Sequence, residues 1–554
     1  MPDGGLTTSM GHETNVDSIL ALDKRIEEAT AELVRLKRSR NSLLTVTRVP
    51  PEILGYIFRF KITTEVSDPK FAGIQKDSYN FPLVCHHWFE VARRLPELWS
   101  FWGNSLEVWK RQLPHCDGIA PLDLVLDGVE CRVGSLDETL LDSLKDYTAR
   151  NAIRKVHLRS DDTQLLTTIV SSLTPEWCSR DSNIESIALN DVDVTAFLTH
   201  QSYPKLRDLS LSGCFVIRGE DWHFLKDNIT TLVNLSLSSN GLTYILTVPQ
   251  ILSLLASNPN IRTLTLESLR IDPDIGYDSN GSHVPLRHLE KLSLVGDFDY
   301  LFPILQQLEF PEMVDHHARL EFTGYELEDI QEFFMPYIQD YFQRDPRFEG
   351  RLRISISLAD DCISLQAGVI GADYHGPDRS PQQGPPYATF SVALSRLMCL
   401  DKQKKLCTEI LVLLPKKSIV HFETNLTVAD EMLVTMSNLE TLHLVHAPVD
   451  YGFLLPDPSG PYADRKLLPS LRRLYLQDAS ANFGDFGPLY PYLIHQTSGD
   501  HPFSLYLLGQ YMHICLSLAS RIGPLVEEFF YDRDVSCPFN EYCYFSECGG
   551  YNDG

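Results

Sequence analysis

One six-residue pattern recurs along this chain: an aliphatic residue, two variable ones, a second aliphatic, one variable and a third aliphatic. It occurs at Ile153-x-x-Val-x-Leu158, Ile184-x-x-Ile-x-Leu189, Leu206-x-x-Leu-x-Leu211, Leu232-x-x-Leu-x-Leu237 and Ile261-x-x-Leu-x-Leu266. It returns at Leu289-x-x-Leu-x-Leu294, Leu439-x-x-Leu-x-Leu444 and Leu471-x-x-Leu-x-Leu476. Alternation of the last two aliphatic positions predicts a strand with one apolar edge, and such a strand cannot fold alone. Stacked copies bury a continuous leucine core and pair their strands side by side. From Ile184 to Leu289 the copies start 22, 26, 29 and 28 residues apart, which leaves room for a return segment between strands. Val248 to Ala256 reads as one such helical return.

Between Leu294 and Leu439 the pattern decays. Arg319 to Phe322, Leu352 to Leu358 and Glu409 to Leu414 still read as strands, and Val526 to Tyr531 as a last one. Glu328 to Phe342 reads as a helix carrying Phe333, Phe334, Tyr337 and Tyr341. Gly371 to Pro386, with four prolines, reads as a loop. The spacing resembles leucine-rich repeats, and the copies running through Asn240 to Leu242 and through Cys214 to Val216 complete that family's longer pattern. The resemblance implies an irregular solenoid with a parallel sheet over residues 120–535.

Upstream, Pro50 and Pro51 suit the opening of a helix on which Ile53, Leu54, Ile57 and Phe58 recur at helical spacing. Val84, Trp88, Val91, Ala92 and Leu95 form a second periodic set, with Pro96 to stop it before Leu98 and Trp99. Order and spacing of Pro50, Glu52, Ile53, Leu54, Ile57, Phe58, Val84, Cys85, Trp88, Leu98 and Trp99 resemble an F-box, most closely the F-box-like proteins of mushroom-forming fungi. Val49 stands where that family has Leu, and Lys61 to Asn80 makes a longer, polar connection than compact members carry. The expected class is therefore α/β: an N-terminal helix and a small helical F-box-like module over 45–105, followed by the solenoid.

Residues 1–15 offer nothing to bury and are expected to be disordered. Over 16–44, Ile19, Leu22, Ile26, Ala29, Leu33, Leu36 and Leu43 fall at the steps of a short coiled-coil seam, with Arg40 breaking one slot. Two readings stay open, self-association and a helix folded back on its own chain. Residues 536–554 form an acidic, Cys-containing tail.

Composition narrows function by exclusion. With 48 Lys and Arg against 74 Asp and Glu, the formal charge of −26 argues against nucleic acid as a partner, since phosphate binding needs a basic face. No apolar run approaches the roughly 18 residues of a membrane span, and the first residues lack a secretory pattern. The 12 Cys form no framework of close pairs, which fits buried thiols in a reducing compartment, cytoplasm or nucleus. Cys537, Cys543 and Cys548 lack a fourth ligand at zinc spacing, so no metal is expected. Cys85-His86-His87 and His316-His317 set adjacent side chains in different directions, which favours packing over a nucleophile and base. No cofactor and no catalytic residue is expected.

What remains is binding. Alternation puts Asp208, Ser210, Ser212, Asn234, Ser236, Ser238, Thr263, Thr265 and Glu267 on the solvent face of the early strands, and His443, Arg473, Tyr475 and Gln477 on that of the later ones. The latter four are large enough to anchor a protein target. The F-box resemblance implies a non-catalytic, substrate-recognition subunit of an SCF-type ubiquitin ligase. In it Pro50, Glu52, Ile53, Leu54, Ile57, Phe58, Val84 and Trp88 would bind the adaptor subunit that joins the cullin scaffold. The alternative is a non-ligase leucine-rich-repeat scaffold that bridges proteins.

Overall fold

In a computed structural model the described residues are 13–43, 49–66, 84–95, 101–103, 109–110, 121–127, 138–150, 153–159, 162–173, 182–191, 198, 202–213, 227–239, 245–271, 283–311, 314–322, 327–359, 362–370, 390–395, 400–426, 433, 435–445, 468–477, 492–494, 502–508 and 521–531. The fold is mixed α/β with a large, mostly parallel sheet that does not close. Two compact units divide the chain, one of Met1–Asp208 with Cys214–Asn228, the other of Leu209–Gly213 with Ile229–Gly554.

The first unit begins with helix α1 (Glu13–Ser42), followed by α2 (Pro51–Val66) and α3 (His86–Arg93). Helix α2 runs into the segment expected as a polar connection. No Gly or Pro interrupts the chain between Gly55 and Pro69, so the helix propagates to Val66. Strands β1 (Phe101–Gly103), β2 (Leu122–Asp127), β3 (Ile153–Arg159) and β4 (Ser186–Asn190) then pair in parallel. Their register aligns Leu124, Val156 and Ile187 in one buried row and Leu126, Leu158 and Leu189 in the next. Helices α4 (Glu138–Ala149) and α5 (Thr163–Ser172) lie between successive strands in sequence. The Asp162 side chain caps α5 by accepting from Leu165 N–H at 2.9 Å.

Strand β5 (Asp208–Ser212) straddles the division, and the second unit continues with β6 (Asn234–Ser238), β7 (Thr263–Glu267), β8 (Lys291–Asp297) and β9 (Asp315–Glu321), the last four paired in parallel. Helix α6 (Val248–Ser257) opens on a capping box in which Thr247 and Gln250 bond each other's backbone. It closes on Asn258, which is fully buried and reaches Leu232 N, Ile229 O and Leu254 O. Helices α7 (Phe298–Gln307) and α8 (Leu327–Arg344) follow β8 and β9.

Beyond α8 the order of pairing changes. Strand β10 (Leu352–Ala359) pairs antiparallel with β11 (Cys362–Val369), which pairs antiparallel with β12 (Phe390–Ser395). β12 lies beside β9, and β10 beside β13 (Ile419–Thr424), both in parallel. The all-parallel expectation is thus corrected by one reversed strand. Only two residues separate β10 from β11, whereas a parallel return needs a dozen or more. Strands β14 (Thr441–Val445), β15 (Arg473–Gln477), β16 (Ser504–Leu508) and β17 (Glu528–Tyr531) complete the parallel ladder.

Glu409 to Leu414, expected as a strand, belongs to helix α9 (Leu400–Leu413) and its end. Leu406, Cys407, Ile410, Leu411 and Leu414 are buried at helical spacing while Val412 faces out, so the short apolar run was the inner stripe of a longer helix. One buried row crosses the sheet through Leu235, Leu264, Leu292, His316, Phe390, Ala367, Ile354, Phe422, Leu442, Leu474 and Leu505. His316 is the polar member of that row. It stacks on Phe390 at 5.4 Å and hydrogen-bonds the Tyr337 hydroxyl at 3.1 Å through Nε2.

Candidate functional site

Helices α2 and α3 form a hairpin with a core of its own. Leu54, Phe58, Val91 and Ala92 are buried together, with Val49, Trp88 and Leu95 packed against them. The Phe58 and Trp88 rings meet edge to face, centroids 5.3 Å apart, and His87 Nε2–H donates to Val49 O at 3.2 Å. Cys85 is buried at the start of α3. The hairpin nevertheless leaves much apolar surface outside. Ile53, Tyr56, Ile57 and Phe60 stand at steps of three, one and three along α2, and all are exposed, Tyr56 by 68% and Phe60 by 70%. Val84 is half exposed as well.

These positions sort the expected adaptor contacts. Pro50, Glu52, Ile53, Ile57 and Val84 are on the surface. Leu54 and Phe58 are not; they hold the hairpin together, because they share the inner side of α2 with Val91 and Ala92 opposite. Trp88 is half-buried against Phe58. Tyr56 and Phe60 were missed, though both continue the periodic set begun by Ile53 and Ile57.

In the second unit the solvent-face side chains of β10 and β13 to β17 line up in register as Ser355, Glu423, His443, Tyr475, Tyr506 and Phe530. A flanking row holds Arg353, His421, Thr441, Arg473, Ser504 and Glu528. Glu423 ties the rows together. Arg353 Nη2 donates to its Oε2 at 3.1 Å, and His443 Nδ1 lies 3.5 Å from the same oxygen. Burial pushes the Glu423 carboxyl up, but the His443 hydrogen bond and the charges of His443 and Arg353 outweigh it and hold the group down at about 2. Burial first, then the Arg353 guanidinium, push the His421 imidazole down to about 3. Further along, Gln477 Oε1 lies 3.1 Å from His443 Nε2, the Tyr475 ring stacks on Tyr506, and the Tyr506 hydroxyl donates to Glu528.

His443 and Tyr475 were expected as exposed target anchors, and this is corrected: they are 3% and 9% exposed. Neighbouring strands are only about 4.8 Å apart, so large groups in one row cover each other. Arg473 and Gln477, the other two expected anchors, are half-exposed, as are Glu423 and Tyr506 in the row itself. Tyr506 and Glu423 escaped sequence reading because β16 has Pro502 in the leading position of the motif, and β13 has Phe422 and Thr424 in place of its second and third aliphatic residues. On the early strands Asn234 is exposed, and Asp208, Ser210, Ser212, Ser236, Ser238, Thr263, Thr265 and Glu267 are half-buried small groups.

Other chemistry is sparse. A polar cleft of about 490 Å³ before strands β10 and β13 to β15 is lined by Arg351, Lys417, Arg472, Glu349 and Glu440, but Arg351 and Glu440 pair with each other at 2.8 Å. Burial pushes the Cys407 thiol up to about 12, which makes it a packing group. Adjacent His316 and His317 point to opposite sides of β9, one buried and one exposed. Among the described residues no cluster of His, Cys, Asp and Glu could hold a metal, and no helix is long and apolar enough to cross a membrane. Cys214, Asn240, Pro96, Leu98, Trp99, the 371–386 segment, Cys537, Cys543, Cys548 and residues 1–12 and 536–554 lie outside the described residues. Compared with known proteins, the chain matches no family model and no curated protein.

Proposed function

We propose that the chain is a substrate-recognition subunit of an SCF-type ubiquitin ligase, in which the α2–α3 hairpin is the F-box-like module and the leucine-lined sheet is an irregular leucine-rich-repeat array. The observation that carries this reading is the apolar strip Ile53, Tyr56, Ile57 and Phe60, left exposed by a hairpin whose own core is already filled. Solvating such a strip is unfavourable, and an exposed apolar strip on a small helical element is what a docking peg requires. The Glu423 to Tyr506 row supplies aromatic and charged groups for a protein target. A subunit of this kind does no bond chemistry; it raises the local concentration of target lysines near a transferase by holding both at once.

The test is a pull-down with purified adaptor subunit, using the full chain and an Ile53→Asp/Ile57→Asp variant. Capture by the parent and its loss in the variant supports the ligase reading. If the parent captures no adaptor, the chain is a binding scaffold and the ligase assignment fails.

A further inference from the structure

Every side chain of α1 from Ser18 to Arg40 is exposed, including Ile19, Leu22, Ile26, Leu33 and Leu36, each more than half so. A helix of 30 residues, about 45 Å long, thus carries an apolar seam that none of the described residues of its unit covers. The charges flanking the seam say what does.

We propose that α1 pairs antiparallel with α1 of a second copy of this chain. The seam positions alternate in steps of three and four, the spacing of a two-stranded coil. Turning one copy end for end about the midpoint between residues 27 and 28 sets Ile19 against Leu36 of the second copy, Leu22 against Leu33 and Ile26 against Ala29. Each layer then joins one branched or large group to another of complementary size. The same operation brings Arg25 beside Glu32 of the second copy, a pair that occurs twice.

A parallel pairing is worse in three ways. It sets Arg40 against Arg40 inside the seam, two like charges in an apolar layer. It leaves Ala29 facing Ala29, a gap, and although it sets Glu32 beside Lys37 it places Arg25 opposite uncharged Thr30. Glu32 already bonds Arg35 at 2.6 Å in the single chain, but both side chains are more than half exposed and the pair gives way easily to a partner across the seam. The inference is independent of the ligase reading, since it concerns only α1. Its consequence is a bivalent molecule.

The experiment measures the mass of the full-length chain by analytical ultracentrifugation over a dilution series. The parent is expected to reach the mass of two chains, and Leu22→Glu/Leu33→Glu to stay at one. Arg25→Glu should weaken association about tenfold, by turning two attractions into repulsions, and Arg25→Glu/Glu32→Arg should restore it. Far-UV circular dichroism of each variant keeps loss of helix distinct from loss of pairing. A parent that remains a single chain at every concentration overturns the proposal, as does a dimer indifferent to Leu22→Glu/Leu33→Glu. Rescue of Glu32→Arg by Lys37→Glu instead of Arg25→Glu overturns the antiparallel arrangement in favour of a parallel one.

Discussion

The rings of Tyr475 and Tyr506 lie 4.4 Å apart and 8° from parallel, on adjacent strands in register. Tyr475 is thereby covered on one side by Tyr506 and met on the other by the edge of His443, centroids 5.6 Å away. Tyr506 is the outer half of the stack. Tyr506→Ala should therefore weaken target capture by more than about 1 kcal/mol while costing little stability, because it removes the ring a partner would touch. Tyr475→Ala should lower stability by about 1 to 3 kcal/mol, because it leaves a hole between two packed groups. Urea midpoints and target co-precipitation of the two variants check this. Equal stability loss in both would show that the row is a single packed unit without an outer binding half.

The hairpin makes a second separation. Leu54→Asp places a charge in a core that Phe58, Val91 and Ala92 fill, and should unfold α2 and α3 at a cost of about 3 kcal/mol or more. Ile53→Asp/Ile57→Asp changes groups that are 49% and 46% exposed, and should leave the hairpin folded while abolishing adaptor capture. Limited proteolysis between residues 49 and 95 distinguishes the two. Rapid cleavage of the surface variant would mean that the strip is structural.

The pH dependence of stability should carry the mark of two buried histidines. In the folded chain His316 is held at about 3 by burial and then by His317, and His421 at about 3 by burial and then by Arg353, against an ordinary 6.5. Above pH 6.5 both groups are neutral, folded or unfolded, and contribute no slope. As pH falls from 6.5 towards 3 only the unfolded chain takes up these protons, so stability declines by up to about 1.4 kcal/mol per pH unit for each. Glu423, depressed to about 2 from 4.5, stabilises above pH 4.5 and loses that contribution between 4.5 and 2. Between 4.5 and 6.5 the Glu423 contribution is constant, and His157, also pushed down by burial, adds to the slope of the other two histidines there. His316→Phe should flatten the profile there, read from urea midpoints at several pH values; an unchanged slope would mean that this imidazole is protonated in the fold.

Depth and backbone satisfaction should dominate the leucine rows. Leu235→Ala and Leu264→Ala should each cost about 2 to 5 kcal/mol, and the half-buried Ser236→Ala close to nothing. Asn258→Ala should cost about 1 to 3 kcal/mol despite the small change in volume, since it leaves Leu232 N–H buried without its acceptor. Denaturant midpoints rank the four. A costly Ser236 variant beside a mild Leu264 variant would reverse the register.

Much of the sheet was legible because its strands carry a period-two leucine pattern that little else imitates; β3, β4, β6, β7, β8, β14 and β15 all follow it. Where the pattern fades, packing partners decide and local sequence does not. The run Glu409 to Leu414 is equally apolar as a strand or as one stripe of α9, and only the buried spacing of Leu406, Ile410 and Leu414 settles it. Strand β11 went unread because Ile363, Leu365 and Ala367 make a weak signal in a segment with no six-residue motif. For the site, alternation placed His443 and Tyr475 on the correct face of their strands. It could not tell that Glu423 and Tyr506, from neighbouring strands, would cover them, because cross-strand neighbours are set by register.

The reversed strand also governs the order in which this part of the chain can assemble. Along β9, β12, β11, β10 and β13, residue 316 must find residue 390, and residue 352 must find residue 419, while the intervening hairpin is held between them. Most other neighbours in the ladder are joined by far shorter stretches of chain, so they can be added one after another. The β9–β13 block offers no such sequential route, because both of its long closures lose entropy before either outer pairing is complete. Refolding should consequently wait on this block, and a chain truncated between residues 322 and 390 would leave β9 with an open edge ready to pair with another molecule.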